Sequence, residues 1–594
     1  MARTLLDPRY DTDACGVGFV AALDGGPARE VVDRALVALT RLGHRGAVAS
    51  DGRSSDGVGI LTQIPRKFFA ADAVAMLFLT PGGAQDEAAI FERLTIEHGF
   101  VEITWRDVPI DASLLGPKAR DGLPRIRQAL LTAAPTEYLN SSGADDLERR
   151  CSLLRKAFER QCGDAYICSL SSQTIVYKAL CASGDLAAFY PDLADPSYAC
   201  AFAVFHQRYA TNVLPRWSLA QPFRLLAHNG EINTIWGNRA RMQARRASLP
   251  PAFEPLITRG FSDSGSLDEV AELLARHGRT VCESLRMLMP PVADRHESLF
   301  HRYHADVIEA WDGPAAVAFA DGDFVGAALD RNGLRPCRYT IDDRLIVAGS
   351  EVGIADFDAE RVVYSGRLGP GEMIAFDVRN ARVLFDADLT RAFDAGTPYS
   401  ELIDDERLEP IPAQTLSPEK LVELQHRFNY SREDVKMILE PMAADAKEPL
   451  WSMGDDTPLA PLGRAPRPIY NYFRQRFSQV TNPPIDSLRE ANVFSLRTRL
   501  GPWPHLLDKH APLPGLVLES PVLSLGQIAA LHGLDRIACV LEGDETLEAA
   551  IDRVCTQAVE LVRRSDAKLL LLSDRMSTPE QPAIPMALAL GAVH

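Results

Sequence analysis

The sequence lacks the features that would place the chain in a membrane or send it across one. No uninterrupted apolar run approaches the roughly 18 residues that span a bilayer, although apolar residues make up 46% of the chain. The first fourteen residues, Met-Ala-Arg-Thr-Leu-Leu-Asp-Pro-Arg-Tyr-Asp-Thr-Asp-Ala, contain no apolar core of a secretory signal. The sequence therefore predicts a cytoplasmic protein without a membrane partner.

Positive charge is also scarce. The 63 lysine and arginine residues are outnumbered by 80 aspartate and glutamate residues, which gives a formal net charge of -17 and a pI near 5.3. Binding to nucleic acid requires a basic surface that neutralises phosphates. The charge balance therefore argues against nucleic acid as a partner.

Motifs for cofactors and metals are missing as well. The sequence has no Gly-x-Gly-x-x-Gly for a dinucleotide and no Gly-x-x-x-x-Gly-Lys for a nucleotide phosphate. Its ten cysteines are scattered, without the spacing of a zinc or iron-sulfur site. His296, His301 and His304 do not have the His-Glu-x-x-His spacing of a zinc helix, and a surface helix explains them better. We expect neither a cofactor nor a metal ion in this chain.

The length of 594 residues is long for one domain. At roughly 150 residues per domain it predicts two to four compact units. An acidic and proline-rich stretch between Leu402 and Pro418 is typical of a boundary. We therefore predict one domain over residues 15–415 and a second over residues 416–594.

The first predicted domain mixes helices and strands. Apolar residues recur at three- and four-residue steps over residues 30–42, and Gly43 then ends the helix. A Ser-x-x-Glu capping box at Ser266 predicts a helix over residues 266–276, just after Asp263. Apolar runs bounded by turn residues predict three short strands, over residues 324–329, 345–348 and 373–376.

The second predicted domain ends in an alternation of strand and helix. Residues 537–541 predict a strand, residues 547–563 an amphipathic helix, and residues 568–572 a buried strand. That order is typical of a βαβ unit in a parallel sheet. A further apolar segment begins at Ala583, and the sequence stops at His594. We therefore expect this domain to be incomplete.

Cys15 follows a leader of fourteen residues and opens the run Cys-Gly-Val-Gly-Phe. A chain that began at Cys15 would carry a thiol and a free α-amine on one residue. That amine, with a reference pKa of about 7.7 to 8.0, can take the proton of a thiol with a pKa of about 8.5. Since a lone cysteine is more often a small buried hydrophobe, the assignment depends on the rest of the sequence. We predict that residues 1–14 are a propeptide and that Cys15 becomes an amino-terminal nucleophile.

Four polar strings follow near the ends of predicted strands, where catalytic groups are often placed. They are residues 206–212 (His-Gln-Arg-Tyr-Ala-Thr-Asn), 219–223 (Leu-Ala-Gln-Pro-Phe), 228–233 (His-Asn-Gly-Glu-Ile-Asn) and 262–264 (Ser-Asp-Ser). Each alone has an ordinary explanation, such as a surface arginine, a hairpin turn or a helix cap. In this order, and together with Cys15, they resemble the class II glutamine amidotransferases.

The resemblance is closer still to the large subunits of bacterial glutamate synthases, and it extends from Cys15 to the last residue. Further matching strings are residues 43–47 (Gly-His-Arg-Gly-Ala), 56–59 (Asp-Gly-Val-Gly), 311–316, 330–336, 452–459 and 480–486. The resemblance implies an α/β fold, an αββα sandwich of the amino-terminal-nucleophile hydrolases followed by a partial α/β central domain. Compared with those subunits, the chain lacks the flavin synthase domain and the carboxy-terminal domain.

The resemblance also implies roles for residues at matching motif positions. Cys15 would be the nucleophile, with its α-amine as the base. Asn229 and Gly230 would donate hydrogen bonds to the oxyanion of the tetrahedral intermediate. Arg208 would bind the α-carboxylate of L-glutamine, and Asp263 would bind its α-ammonium group.

Three further residues lie in the matched strings. Arg45 would belong to the substrate-binding set by ordering the loop around Cys15. Trp217 and His228 are expected to pack or to support loops. The sequence gives each of the three an alternative as an ordinary surface or core residue.

The implied activity is hydrolysis of L-glutamine to glutamate and ammonia through a γ-glutamyl thioester. In the resembling enzymes the ammonia serves the reductive amination of 2-oxoglutarate. This implies FMN and an iron-sulfur cluster outside this chain, with a flavin-containing synthase polypeptide and a reductase subunit as partners. Two alternatives stay open: an amidotransferase that feeds another acceptor, and a non-catalytic remnant that serves as an assembly module. The central-domain strings argue against the first, and the complete set of expected catalytic residues argues against the second.

Overall fold

The chain divides into two compact units. The first comprises Met1–Ser400 with His505–Ala511, and the second comprises Glu401–Pro504 with Pro512–His594. The computed structural model describes residues 15–134, 144–208, 214–292, 298–408, 415–446, 495–564 and 569–594, with short pieces at 411, 449, 460–464, 467 and 469–473. Outside the described residues lie the predicted propeptide, His296, the strings at 452–459 and 480–486, and residues 209–212 of the first polar string.

The described part of the first unit contains sixteen strands. They are β1 (Gly16–Ala22), β2 (Val58–Gln63), β3 (Ala73–Leu79), β4 (Phe100–Asp107), β5 (Arg125–Ala133), β6 (Tyr166–Ser171), β7 (Thr174–Ala179), β8 (Phe202–Gln207), β9 (Leu226–Gly230), β10 (Ala315–Ala320), β11 (Phe324–Leu329), β12 (Arg338–Ile341), β13 (Leu345–Gly349), β14 (Tyr364–Arg367), β15 (Met373–Asp377) and β16 (Arg382–Leu384).

Helices alternate with these strands along the chain. They are α1 (Arg29–Arg41), α2 (Ala84–Glu97), α3 (Pro117–Asp121), α4 (Ala144–Gln161), α5 (Leu186–Phe189), α6 (Ile235–Ala244), α7 (Asp263–Ala275), α8 (Val281–Leu288), α9 (Leu299–His304), α10 (Asp386–Gly396) and α11 (Tyr399–Leu402). Two short 3-10 turns also bear on the site, Gly43–Arg45 and Trp217–Leu219.

Two antiparallel sheets form the centre of the first unit. One has the strand order β14-β12-β13-β1-β8-β2-β7, and the other has the order β16-β15-β11-β10-β9. Strand β1 packs on β9, β10 and β11 of the other sheet. Every residue of β1, Gly-Val-Gly-Phe-Val-Ala-Ala, is buried. A strand without a polar face must be covered on both sides.

Helices cover the outer faces of both sheets. Helix α1 lies on β1 and β8 and buries the apolar stripe Val31, Val32, Ala35, Ala38 and Leu39. On the other side, α7 packs against β9, and α10 packs against β15 and β16. The layers therefore run helix, sheet, sheet, helix, and the predicted αββα sandwich is confirmed.

A third sheet stands beside this sandwich. Its order is β4-β5-β3-β6, and α2 and α4 pack on it around a separate core that includes Leu77, Phe91, Phe158 and Ile167. It meets the main sandwich where β3 and β6 contact β7. The patterns in the sequence did not indicate this layer.

Local patterns located most of the predicted elements well. Helix α1 begins and ends one residue before the predicted span, and the predicted strands are present as β11, β13 and β15. The prediction that a helix begins at Ser266 is wrong, because α7 begins at Asp263. Its cap is Ser262, whose Oγ accepts the N–H of Gly265 at 3.0 Å. The Ser266 hydroxyl donates instead to the Ser262 carbonyl at 3.1 Å, inside the helix.

The helix predicted around His301 and His304 is α9, but it is not a surface helix. Phe300, Tyr303 and His304 are buried. The ring of His304 lies against Phe300, with ring centroids 4.1 Å apart, and near Tyr399 at 5.5 Å. Aromatic packing therefore buries the face of α9 that carries His304, and the prediction of a surface helix is wrong.

The described part of the second unit contains two small sheets. Its strands are β17 (Ile403–Arg407), β18 (Thr498–Leu500), β19 (Leu513–Leu518), β20 (Leu534–Ala538) and β21 (Leu569–Ser573). Its helices are α12 (Pro418–Arg427), α13 (Arg432–Asp434) and α14 (Glu440–Asp445), joined by the π-helical turn Val435–Leu439, then α15 (Leu525–Ala530), α16 (Leu547–Arg564) and α17 (Met586–Val593).

The predicted βαβ unit is confirmed. Strands β20 and β21 pair in parallel, with Leu534 opposite Leu569, and α16 connects them along the chain. The residues of β21 are only half-buried, so the prediction of a buried strand is wrong. Lys568 lies outside the described residues. Among the described helices of the chain, none combines the length and the apolar character that crossing a bilayer requires.

Candidate active site

Cys15 lies at the start of a central strand of the sandwich. It is partly exposed and immediately precedes β1. Strand β1 pairs with β8 so that Gly16 is opposite Gln207. Continued by one residue, this antiparallel register brings Cys15 opposite Arg208. The sheet therefore directs the predicted nucleophile and the predicted carboxylate-binding residue to the same end.

Arg208 is a buried arginine, 6% exposed, with few protein partners. Its backbone N–H donates to the Gly57 carbonyl at 2.8 Å, and its Nη1 donates to the Asp56 carbonyl at 3.3 Å. Among the described residues, the second contact is the only hydrogen bond of its guanidinium. Burial lowers the pKa of Arg208, whereas neighbouring Cys15, Asp56 and Asp263 act to raise it. Most of the donors of this cation remain available to an anionic ligand.

Asn229 and Gly230 end strand β9. Gly230 has a φ of 142°, and an ideal Cβ there would lie 1.8 Å from the Pro314 carbonyl oxygen. Only glycine fits such an approach. Asn229 is buried and lies opposite Ala316. Within the described part of the chain, its side-chain amide makes no hydrogen bond, so its N–H groups can meet a ligand.

Asp263 is the first residue of α7, where the free amides of the helix favour a carboxylate. Its Oδ2 accepts the N–H of Ile232 at 2.9 Å, and its Oδ1 accepts the N–H of Ser264 at 2.7 Å. The first contact fastens Asp263 to the segment that follows Gly230. The charge of Asp263 also acts to raise the pKa of Arg208. Asp263 is therefore near both Arg208 and the segment that carries Asn229 and Gly230.

Arg45 is held within the turn that follows α1. Its Nε donates to the carboxylate of Glu351, which also lies 3.0 Å from the Nε2 of His44. The next residue, Gly46, packs on β8 so tightly that an ideal Cβ would lie 1.9 Å from Nε2 of Gln207. Arg45 thus belongs to a turn that packs beside the end of β8, and its guanidinium is engaged in an ion pair there.

Two buried histidines join the two sheets beneath the site. The Nε2 of His206 in β8 lies 3.1 Å from the carbonyl oxygen of His228 in β9. Because a carbonyl can only accept, Nε2 carries the proton. Burial lowers the pKa of His206 to about 3 and also lowers that of His228. Both rings are therefore neutral near pH 7. The sequence had not indicated a role for His206.

The loop over residues 219–223 supports the site from behind. The Oε1 of Gln221 accepts the N–H of His228 at 2.7 Å, and its Nε2 donates to Oγ of Ser264 at 3.4 Å. Lys178 in β7 donates to the Ala220 carbonyl at 2.8 Å, and burial lowers its pKa to about 7. Sequence reasoning missed Lys178. A lone lysine in the apolar run Thr-Ile-Val-Tyr-Lys-Ala was the signal that could have found it.

Trp217 packs, as expected. It is buried, and its Nε1 donates to the Ala119 carbonyl at 3.0 Å. Its ring meets those of Phe78 and Phe189, at centroid distances of 5.7 and 6.0 Å. The side chain therefore anchors the start of the supporting loop.

The described residues contain no group of three or more His, Cys, Asp or Glu side chains that could hold a metal ion. All ten cysteines are free thiols, and all but Cys15 and Cys555 are buried. Burial raises the pKa of several thiols to about 12, among them Cys168, Cys181 and Cys337. These buried groups are therefore protonated thiols near pH 7.

Comparison with known proteins identifies both parts of the chain. The family model of the class II glutamine amidotransferases matches residues 15–402, and that of the glutamate synthase central domain matches residues 423–594. The large chain of NADPH-dependent glutamate synthase from Azospirillum brasilense is 40% identical over 99% of this chain and 42% of its own length. Ferredoxin-dependent glutamate synthase 1 from Arabidopsis thaliana is 39% identical over 99% of this chain and 40% of its own length. The chain thus spans less than half of these relatives.

Among solved structures, the glutamine phosphoribosylpyrophosphate amidotransferase from B. subtilis is similar over 53% of this chain and 48% of its own, at 15% identity and a TM-score of 0.25. That likeness is too weak to carry an argument. The match to the amidotransferase family, by contrast, covers more than half of the 594 residues. The chain belongs to the class II glutamine amidotransferases, an enzyme family with the amino-terminal-nucleophile hydrolase fold, and a glutamate synthase central domain follows its amidotransferase region.

Proposed function

We propose that this chain is the glutaminase part of a glutamate synthase and that Cys15 hydrolyses the side-chain amide of L-glutamine. The convergence of Cys15, Arg208 and Asp263 at one end of the sandwich carries the proposal. These groups correspond to three features of the substrate: a reacting carbonyl carbon, an α-carboxylate and an α-ammonium group.

The proposed reaction has two steps. The Cys15 thiolate attacks the amide carbon of glutamine, and the amine of Cys15 passes the thiol proton to the departing nitrogen. Ammonia leaves as the γ-glutamyl thioester forms. Water then attacks the thioester, which releases glutamate and restores the thiol. The side-chain amide of Asn229 and the N–H of Gly230 stabilise the oxyanion, and loss of one such donor typically costs about 3 to 4 kcal/mol.

Substrate recognition follows from charge and hydrogen-bonding capacity. The planar guanidinium of Arg208 pairs with the α-carboxylate through two N–H donors. Asp263 accepts two backbone N–H groups, which leaves lone pairs of its carboxylate for the α-ammonium group. Arg45, through its ion pair with Glu351, keeps the adjacent turn packed on β8.

The proposal includes a maturation step and a division into domains. Residues 1–14 are removed as a propeptide, because the nitrogen of Cys15 is a base only when it is a free amine. The amidotransferase domain extends over residues 15–415, and residues 416–594 belong to the central domain. The family matches, 15–402 and 423–594, end on either side of this proposed boundary.

In the whole protein, the ammonia is used for the reductive amination of 2-oxoglutarate. The relatives are more than twice as long as this chain. We assign FMN, an iron-sulfur cluster and the contact with a reductase to the part of the protein that corresponds to their remaining length. We place the complete enzyme in the cytoplasm.

A hydroxylamine assay tests the glutaminase assignment. Hydroxylamine intercepts a γ-glutamyl thioester as the hydroxamate, so the purified chain with L-glutamine should give both ammonia and γ-glutamyl hydroxamate. The mass of the intact protein, measured first, shows whether the chain begins at Cys15. A chain that begins at Cys15 but releases no ammonia from glutamine would refute the proposal.

A further inference from the structure

A cleft with an excess of positive charge opens in the first unit, where β12 begins and β14 ends. It has a volume of about 420 Å³ and lies between residues 333–338 and residues 367–370. Among the described residues that line it, three are arginines and none is acidic: Arg335, Arg338 and Arg367. This is unexpected in a chain with a formal net charge of -17.

Two of the arginines are forced together by the sheet. Arg338 in β12 and Arg367 in the edge strand β14 are directly opposite each other in an antiparallel pair. Such a pair points to the same face, and like charges in that arrangement destabilise a sheet. Neither guanidinium has an ion pair or a hydrogen bond within the described part of the chain. The repulsion is therefore not relieved by a protein carboxylate.

The third arginine adds a buried donor. Arg335 precedes β12 by three residues, and its Nε is buried without a hydrogen-bond partner among the described residues. The carboxylate of Glu372 is held at the rim, where it accepts the N–H of Gly369 at 2.7 Å, so three arginines there face one carboxylate. A buried N–H without an acceptor costs free energy unless a ligand supplies one.

We propose that this cleft binds a small divalent anion, either a dicarboxylate or a phosphate. The planar forks of arginine match the oxygen pairs of both groups. A volume of about 420 Å³ lies within the usual range of small-molecule sites. A dianion would offset the charge of the opposed pair of arginines and give Arg335 an acceptor.

The cleft is connected to the predicted oxyanion donors through one loop. Arg331, four residues before Arg335, forms an ion pair with Asp312. The Asp312 carbonyl accepts the N–H of Asn233 at 2.7 Å, in the segment that follows Gly230. An anion held by Arg335 therefore binds to the same loop that supports that segment. The inference concerns binding, and it stands whether or not the chain is a glutaminase.

Isothermal titration calorimetry on the full chain tests the site. The probes are glutarate and inorganic phosphate, with sodium chloride at matched ionic strength as the reference. We expect one saturable site for at least one of the two dianions, and the more tightly bound probe tells a dicarboxylate site from a phosphate site. The double variant Arg338→Gln/Arg367→Gln should weaken the affinity about tenfold or more.

The matched control is Arg382→Gln in β16, the edge strand of the other sheet, where the side chain is 65% exposed and lies 3.9 Å from Asp388. It should bind the probes as the unmodified chain does. Arg367→Gln alone, in an exposed edge position, decides the question should the double variant be unstable. The proposal is overturned by the absence of saturable binding, by equal heats with chloride, or by variants that bind as tightly as the unmodified chain.

Discussion

Arg155 and Arg208 are both buried arginines of the first unit, but their surroundings are opposite. The Nη1 of Arg155 lies 2.8 Å from Glu159, and its Nη2 donates to Glu272. Among the described residues, the guanidinium of Arg208 donates only to the Asp56 carbonyl, at 3.3 Å. Carboxylates therefore pair with both terminal nitrogens of Arg155, whereas the guanidinium of Arg208 keeps donors for a ligand.

This difference in pairing distinguishes an arginine that stabilises the fold from one that can bind a ligand. A buried charge must be paired, because its loss of hydration is otherwise uncompensated. Arg155 has its partners in its own helix, α4, and in α7, and it joins these two helices. Arg208 has carboxylates near but not bonded to it, and the α-carboxylate of glutamine would complete its pairing. We infer that the first arginine serves stability and the second serves binding.

The largest expected effect on activity comes from removing the Cys15 thiol. Cys15→Ala should lower ammonia release from glutamine by at least about 10³-fold, because no other nucleophile replaces the thiol. Thermal stability should hardly change, since Cys15 is partly exposed. The assay measures ammonia, with Cys555→Ala, the other partly exposed cysteine, as the control. Undiminished activity in Cys15→Ala would refute the assignment of the nucleophile.

A glycine pair tests the oxyanion geometry. Gly230→Ala should reduce kcat about 10²-fold or more, because the new Cβ would lie 1.8 Å from the Pro314 oxygen and displace a donor. Gly237→Ala is the matched control, since its Cβ would meet nothing within 4 Å and alanine favours helix α6. Steady-state kinetics measures both. Equal kcat values for the two variants would show that the loop does not position the donors.

Substitutions at Arg208 and Arg155 should have opposite effects on substrate binding and on stability. Arg208→Gln should raise the KM for glutamine about 10- to 100-fold and leave the free energy of unfolding nearly unchanged. Arg155→Met should do the reverse, because it removes the ion pair of Glu159 and, among the described residues, leaves Glu272 only the longer one with Arg224, at 3.5 Å. Breaking a buried ion pair costs about 3 to 5 kcal/mol. Urea denaturation and glutaminase kinetics measure both quantities. If Arg208→Gln proved the more destabilising variant, the comparison would fail.

The smallest effect concerns pH. Burial lowers the pKa of His304 to about 3, whereas an unfolded histidine titrates near 6.5. Between these values the unfolded chain binds more protons, so stability falls as the pH decreases, by up to about 1.4 kcal/mol per pH unit for each such group. His304→Phe should therefore show a shallower loss of stability between pH 6.5 and 4.5 in urea denaturation. Parallel slopes for the two proteins would contradict the lowered pKa.

His206, beneath the site, extends the same test to activity. Its pKa is also lowered to about 3. The titration of this histidine should therefore not limit glutaminase activity between pH 5 and 8.

The sequence predicted those parts of the fold that local patterns determine. Helix α1 and strands β11, β13 and β15 follow from apolar periodicity and turn residues. The third sheet could not be predicted, because β3 pairs with β5 and β6 across long stretches of chain. The start of α7 was misplaced because Ser262 and Ser266 both offer a capping hydroxyl, and only the contacts of the folded chain decide between them.

The candidate site followed a similar division. The resemblance supplied the residues at strand ends, and the register of β1 on β8 explains why Cys15 and Arg208 lie at the same end of the sheet. His206 and Lys178 were missed, because each acts through a carbonyl far away in the sequence, that of His228 and that of Ala220. In the sequence, His206 and Lys178 are each a polar residue within an apolar run. Such a pattern indicates a buried polar side chain but does not identify its hydrogen-bond partner.

The central claim is that Cys15, as the first residue of a mature chain, attacks a glutamine held by Arg208. Peptide mass spectrometry after acid quenching of the protein with L-glutamine tests this most directly. We predict a γ-glutamyl adduct on a peptide that begins with Cys15, and a much smaller amount of adduct in Arg208→Gln. Turnover of glutamine without that adduct, or with residues 1–14 still attached, would contradict it.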